Sequence, residues 1–205
     1  LLGALGLGWI LTASGVGAEA VGPKEVVRQT IDEVVAILQD PALDDRERRK
    51  RIEALAYERF HFDTVSRLVL GRDWRRFSEP QRQEFMQEFR TLLSRSYGER
   101  INRYEQEKVE ILKVHDEPRG DVTVVTRIQG GTADGVEIAY RMRKRDESWG
   151  VIDVTVEGTG LVSNYRSQFK ELLGSGSPDD LLQRLREKNQ EIADPAPATT
   201  TAAGS

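Results

Sequence analysis

Cysteine is absent from all 205 residues, which excludes disulfide staples, thiol nucleophiles and cysteine-based metal sites. A domain of roughly 170 residues can bury an adequate core without staples, so this absence restricts the chemistry and not the fold. Histidine is scarce: His61 and His115 lie far apart and in no metal-ligand spacing, so no metal site is expected. Positive charge is not in surplus either. A net charge of −4 argues against nonspecific nucleic-acid binding, which needs an excess of Lys and Arg. No apolar run beyond the first few residues is long enough to span a bilayer. Gly130-Gly131 lacks the Lys-Ser/Thr of a phosphate loop and precedes a strand pattern, not a helix. Ser66 and Ser163 lack the small-residue elbow of a hydrolase nucleophile.

What the chain has is apolar surface at helical spacing. From Phe62 to Tyr104 the sequence reads as a short apolar helix, a Gly stop, a Trp-bearing turn and one long helix. The stripe of that long helix is Phe85, Met86, Phe89, Leu92, Leu93, Tyr97, Ile101 and Tyr104. Nothing on it can do acid–base or nucleophilic chemistry. It is either core or a binding site for something apolar.

The flanking elements follow the same reading. Pro23 to Gln39 is an amphipathic helix ended by Asp40-Pro41, and Asp44 with Glu47 has the form of a capping box for a second helix. The charged run Arg46 to Arg51 is the wet face of that helix. Gly71 is placed to stop the helix Phe62 to Leu70, and Ser78 with Gln81 caps the long one. Gly98 inside it costs roughly 1 kcal/mol relative to Ala, which close packing, a bend or a helix wrapping a cavity would explain. From Lys108 the period changes from 3.6 to 2, giving strands over Val109 to His115, Val122 to Gln129, Val136 to Arg145 and Trp149 to Glu157. Short connections favour antiparallel pairing, wet on one face and covered by helices on the other. Gly158-Thr159-Gly160 leads into a helix from Leu161 to Leu173, and Pro178 to Asn189 forms the last. The fold class is α+β: helices first, a four-stranded antiparallel meander, then a helical finish.

The ends are of another kind. Leu1 to Leu11 leads to Ala18-Glu19-Ala20, an A-x-A pattern, and residues 1–20 read as a secretory signal peptide truncated at its start. The alternative is an apolar N-terminal helix docked on the fold. Residues 21–192 form the domain, and the Pro/Ala/Thr-rich stretch 193–205 is expected to be disordered. Two charged features remain open. Asp153, between Ile152 and Val154, could act as a base in an apolar pocket, or pair with an Arg. Arg141, Arg143 and Arg145 could dock an acidic partner or phosphate head groups, or form a solvated strand face.

These residues together resemble the MlaC family, the periplasmic phospholipid-carrier component of the Mla lipid-asymmetry system, also called toluene-tolerance auxiliary proteins. The resemblance rests on Phe62-Asp63 leading to Ser66-Arg67-Leu68-Val69-Leu70-Gly71, then Trp74-Arg75 and the Ser78 to Tyr104 helix. It extends to Trp149-Gly150-Val151-Ile152-Asp153-Val154 and to the run from Leu161 to Phe169, with Asn164-Tyr165-Arg166 at its centre. Val65 stands where the family often has Met. The resemblance implies a curved sheet wrapped by helices around an apolar cavity for acyl chains, no catalysis and no cofactor, with phospholipid as cargo. It implies exchange with an inner-membrane ABC-transporter complex, through its substrate-binding subunit, and with an outer-membrane lipoprotein–porin complex. A monomer is the simplest form for such a shuttle. By the same resemblance the lipid-binding residues are Leu68, Val69, Phe85, Phe89, Leu92, Leu93, Tyr97, Tyr140, Trp149, Val151, Val154, Leu161, Tyr165 and Phe169. Two other readings stand beside it: a ketosteroid-isomerase-like enzyme with Asp153 as base, and a periplasmic adaptor whose stripe is all core.

Overall fold

Local signals in the sequence set most of the element ends in the computed structural model, which describes residues 21–101 and 107–193. The expected signal peptide, the end of the stripe at Ile101 and Tyr104 and the tail beyond residue 193 lie outside the described residues or their side chains. Helix α1 spans Pro23–Gln39, with Pro23 at its start, where a missing N–H costs nothing. Helix α2, Asp45–Arg59, begins at Asp44, whose carboxylate accepts from the Glu47 amide at 2.8 Å. Helix α3, Phe62–Leu70, stops at Gly71, where φ is +55° and ψ −121°, a conformation open to glycine. A 3-10 turn over Gly71–Arg76 carries Trp74 between the guanidiniums of Arg67 and Arg82, at 5.3 and 5.1 Å. Helix α4, Glu79–Ile101, opens on a reciprocal box: Gln81 Oε1 accepts from the Ser78 amide at 2.9 Å, and Ser78 Oγ from the Gln81 amide at 3.4 Å.

The sheet has five strands, not the four read from the sequence: β1 (Lys108–Asp116), β2 (Val122–Gln129), β3 (Glu137–Arg145), β4 (Ser148–Val156) and β5 (Thr159–Gly160). They lie in sequence order and pair antiparallel throughout. The extra strand is two residues long and has no periodicity of its own. The chain reverses at Glu157 and Gly158, both at positive φ, and lays Thr159 and Gly160 against Val156 and Thr155. Register breaks at Ile111/Lys113 and at Arg141/Met142 introduce bulges, which bend and twist a sheet. The last helices are α5, Leu161–Ser175, and α6, Pro178–Ala193. Helix α6 runs four residues past the expected Asn189 and takes in Ala193, which the sequence reading had assigned to the tail.

Two apolar clusters hold these elements. One is helical, joining α3, α4, α5 and α6. The other lies where Val26 and Val27 of α1 meet Val124, Met142 and Val151 on one face of the sheet. That face follows from the register, which aligns Val124 with Tyr140 and Tyr140 with Val154 across three strands. The opposite face is an open depression of about 360 Å³ lined by Lys113, Thr123, Val125, Arg141, Asp153 and Thr155 among others. Thr123 and Val125 at its floor are buried, so this face is less wet than strict alternation predicts.

Candidate functional site

The helical cluster is built around aromatic rings that lock edge to face. Phe85 and Phe89, one turn apart on α4, stack at 5.5 Å and are fully buried. Phe169 of α5 sits edge-on to both at 5.5 Å, and Tyr165 edge-on to Phe89 at 5.0 Å. Such pairs contribute about 0.5–1.5 kcal/mol beyond their area. Val69, Leu92 and Leu93 are buried in the same cluster, with Leu68, Tyr97 and Leu161 half-buried at its margin. Burial, with a hydrogen bond to Tyr97, pushes the Tyr165 hydroxyl up to about 12, against a lowering contact from Ser96.

Two sequence pieces that looked separate are one unit here. Arg166, beside Tyr165, donates from Nε to the Leu68 carbonyl at 2.8 Å and also from Nη2. It thereby satisfies a carbonyl left open where α3 ends. The Leu68 to Gly71 stop and the Asn164-Tyr165-Arg166 run therefore meet: the arginine caps α3 while Tyr165 and Phe169 fill the core behind it.

On the sheet side Val151 is buried, while Tyr140, Trp149 and Val154 are half-buried against α1. Tyr140 is the informative residue. Burial raises its pKa against a hydrogen bond to Thr126 that lowers it, so its hydroxyl lies deep in the fold. The residue nevertheless keeps accessible surface. Phe60 packs against both clusters, and the chain is stitched to the sheet beside it by the His61 amide donating to the Val151 carbonyl at 3.0 Å. Gly150 makes that crossing possible, because a Cβ there would fall 2.3 Å from the His61 ring.

The fourteen sequence-predicted residues are divided between the two clusters, with Phe60 packed against both, and they differ in burial. Val69, Phe85, Phe89, Leu92, Leu93, Val151, Tyr165 and Phe169 are buried; Leu68, Tyr97, Tyr140, Trp149, Val154 and Leu161 keep accessible surface. Sequence reasoning did not single out Ile31 and Ile111, which are half-buried beside Tyr140 and Val154. The stripe of α1 carried the signal for Ile31, and alternation in β1 that for Ile111.

Asp153 does not stand as a free base. Its Oδ1 accepts from the amides of Val154 at 2.9 Å and of Val162 at 3.0 Å, so the carboxylate caps the first turn of α5. Burial raises its pKa, and those two amides with Arg141 and Arg166 draw it down. The arginine row is largely committed inward. Arg141 and Arg143 clamp Asp121, with Arg141 Nη2 at 2.8 Å and Arg143 Nε at 2.7 Å, and Arg145 reaches Asp63 at 3.4 Å. Asp121 is fully buried. Burial pushes its carboxyl up, but the two guanidiniums outweigh this and hold it below the usual aspartate value. Among the described residues no three His, Cys, Asp or Glu side chains gather as metal ligands, and no helix is long and apolar enough to cross a membrane.

The family model described as MlaC protein matches residues 28–187. The chain belongs to the MlaC family. A solved structure from Ralstonia solanacearum, a phospholipid-binding protein in complex with a phospholipid, superposes on this MlaC-family fold with a TM-score of 0.74. It is 25% identical and the match covers 83% of this chain and 98% of that one. The expected architecture, an antiparallel sheet wrapped by helices before and after it, is the one this family relationship carries. The match begins within α1 and ends within α6, so it takes in the buried residues of the helical cluster and all buried members of the sheet-side cluster except Val26 and Val27.

Proposed function

We propose that this protein is a phospholipid carrier, and that acyl chains lie in the gap between the sheet-side and helical clusters. The observation that carries the reading is the pairing of MlaC family membership with the half-buried apolar residues, Tyr140 among them, packed against two apolar clusters that Phe60 joins. The phospholipid bound by the Ralstonia solanacearum relative supports it. Leu68, Tyr97, Tyr140, Trp149, Val154 and Leu161 line the gap, with Ile31 and Ile111 at its edge. The buried residues Val69, Phe85, Phe89, Leu92, Leu93, Val151, Tyr165 and Phe169 form the wall behind it and become accessible when the gap widens.

The energetics require such a gap. Each methylene of an acyl chain gains about 0.8 kcal/mol on leaving water, on the order of 10 kcal/mol for a full tail. A carrier must match the bilayer in apolarity or lipid will not leave the membrane. The headgroup keeps its hydration at the mouth. No bond is made or broken, so no catalytic group is needed, and the cap made by Asp153 is in keeping with a binding protein. The carrier works in the periplasm after loss of a signal peptide. It takes and delivers lipid at an inner-membrane ABC-transporter complex, through its substrate-binding subunit, and at an outer-membrane lipoprotein–porin complex, and it does so as a monomer.

Native mass spectrometry of protein purified without detergent, followed by organic extraction, tests this reading. Phospholipid at near one per chain is the expected result. A bare mass, together with failure to take lipid from vesicles, would sink the proposal and leave the stripe as plain core.

A further inference from the structure

Among the described residues, α2 carries a run of exposed cations without ion-pair partners. Arg46, Glu47, Arg48, Arg49, Lys50 and Arg51 put five cations and one acid in six consecutive residues of a chain whose net charge is −4. Arg48 is half-buried and tied to Asp45 and to the Asp40 carbonyl, each at 3.2 Å. Arg46, Arg49, Lys50 and Arg51 are exposed and make no ion pair among the described residues. Ile52 and Leu55 define the buried side of the helix, which sends Arg46, Arg49 and Lys50 outward at i, i+3 and i+4. Adjacent like charges at those spacings weaken a helix, so the ridge is held at a cost to local stability. Glu53, the one acid on the next turn of this face, is engaged by the Tyr57 hydroxyl. The lower end of the helix is clamped instead by Arg90 of α4, whose guanidinium lies 3.8 Å from the Tyr57 ring centroid. The ridge is therefore presented on a fixed support.

We infer that the exposed Arg46–Arg49–Lys50 ridge of α2 docks the protein on the anionic headgroup surface of a phospholipid bilayer. This rests on the lipid-carrier reading, because phospholipid headgroup is the anionic chemistry with which that reading brings the protein into contact. An acidic chain is otherwise repelled by an acidic bilayer. A cationic face lowers that repulsion in the orientation that presents it, so it biases which side of the molecule meets the membrane. The arrangement also suits a carrier that must leave again. A few Lys and Arg near an anionic surface, at roughly fivefold in affinity each, give reversible adsorption that ends within a Debye length.

The test is flotation of the full chain with vesicles of phosphatidylethanolamine, with and without phosphatidylglycerol, at low and high salt. It compares the native chain with the triple variant Arg46→Glu, Arg49→Glu, Lys50→Glu. The expected result is retention on the phosphatidylglycerol vesicles that fades with salt and falls at least about tenfold in the variant. The neutral pair Arg49→Gln, Lys50→Gln should give an intermediate loss and guards against misfolding of the triple variant. Circular dichroism and bound-phospholipid mass spectrometry are run on every variant. Equal retention with and without phosphatidylglycerol, or equal retention of native and variant chains, would overturn the inference. So would normal vesicle binding by a variant that fails to bind an acidic protein partner, which would assign the ridge to that partner. Because cargo occupancy is read separately, an empty native protein defeats the carrier reading, whereas a loaded one indifferent to vesicle charge defeats only the ridge.

Discussion

Gly150 illustrates how much a missing side chain can decide. Its Cα lies where the His61 ring crosses β4, and a methyl group there would sit 2.3 Å from ring atoms. Gly150→Ala must push His61 aside. The expected cost is about 1–3 kcal/mol by overpacking, read from urea unfolding; a variant as stable as the native chain would show that the ring relocates freely. Asp153 gives the opposite kind of prediction. Asp153→Asn keeps an oxygen for the amides of Val154 and Val162, whereas Asp153→Ala removes it and should cost about 1 kcal/mol, the usual value of an N-terminal cap. Because burial raises the folded pKa of Asp153, the folded state binds its proton more tightly than the unfolded chain does. Its contribution to stability therefore declines as pH rises through the folded pKa. Asn at this position should be neutral to mildly stabilising at pH 7 and should leave bound lipid unchanged. For Asp121 the sign reverses. Its folded pKa is lowered, so its contribution is complete above the ordinary aspartate value of about 3.9 and is lost as pH falls through the lower folded one. Arg141 and Arg143 keep side-chain exposures of 40% and 33%, which screens the pair. Asp121→Asn should accordingly cost about 1–3 kcal/mol at pH 7, below the figure for a fully buried pair. The difference from the native chain should narrow toward pH 3 in urea titrations at both pH values.

At the level of elements, the contact most exposed to test is the capping of α3 by α5. Arg166→Ala leaves the Leu68 carbonyl to water and should cost about 1–2 kcal/mol. It should also speed amide exchange across residues 62–76 more than across β2 or β3; uniform exchange would show that the cap is dispensable. The same elements show what the sequence could and could not convey. Boundaries set by local chemistry were legible: Asp44, Gly71 and the Ser78–Gln81 box each stop or start a helix through atoms within a few residues. The change of period at Lys108 announced the sheet, and alternation in β3 correctly put Tyr140 and Met142 on one face. Strand β5 was not legible, because two residues carry no period and pair only once the turn at Gly158 has delivered them. Nor was the Asp121 clamp, whose partners lie 20 and 22 residues away on another strand. The apolar stripe was legible as a stripe but not as two classes of residue. Phe89 and Tyr97 share one helical face, and the closer packing of Tyr165 and Phe169 of α5 around Phe89 leaves the first buried and the second half-buried.

For the molecule as a whole, the carrier reading makes volume the controlling variable. Val154 aligns with Tyr140 across the sheet and keeps accessible surface, so Val154→Trp puts its added bulk into the gap instead of a closed core. Phospholipid occupancy by native mass spectrometry should fall by more than half, with stability changed by less than about 1.5 kcal/mol. Full occupancy would place the acyl chains elsewhere. The division into two clusters, each with its own residues and with Phe60 packed against both, bears on how such a protein can change over generations. Substitutions far apart and without shared partners add nearly independently. On the carrier reading, a lineage can therefore alter the sheet-side residues while the aromatic cluster of α4 and α5 goes on carrying the stability of the fold. Drift in lipid preference is then open to single mutations at the sheet, whereas replacement of Phe60 would be felt on both sides at once.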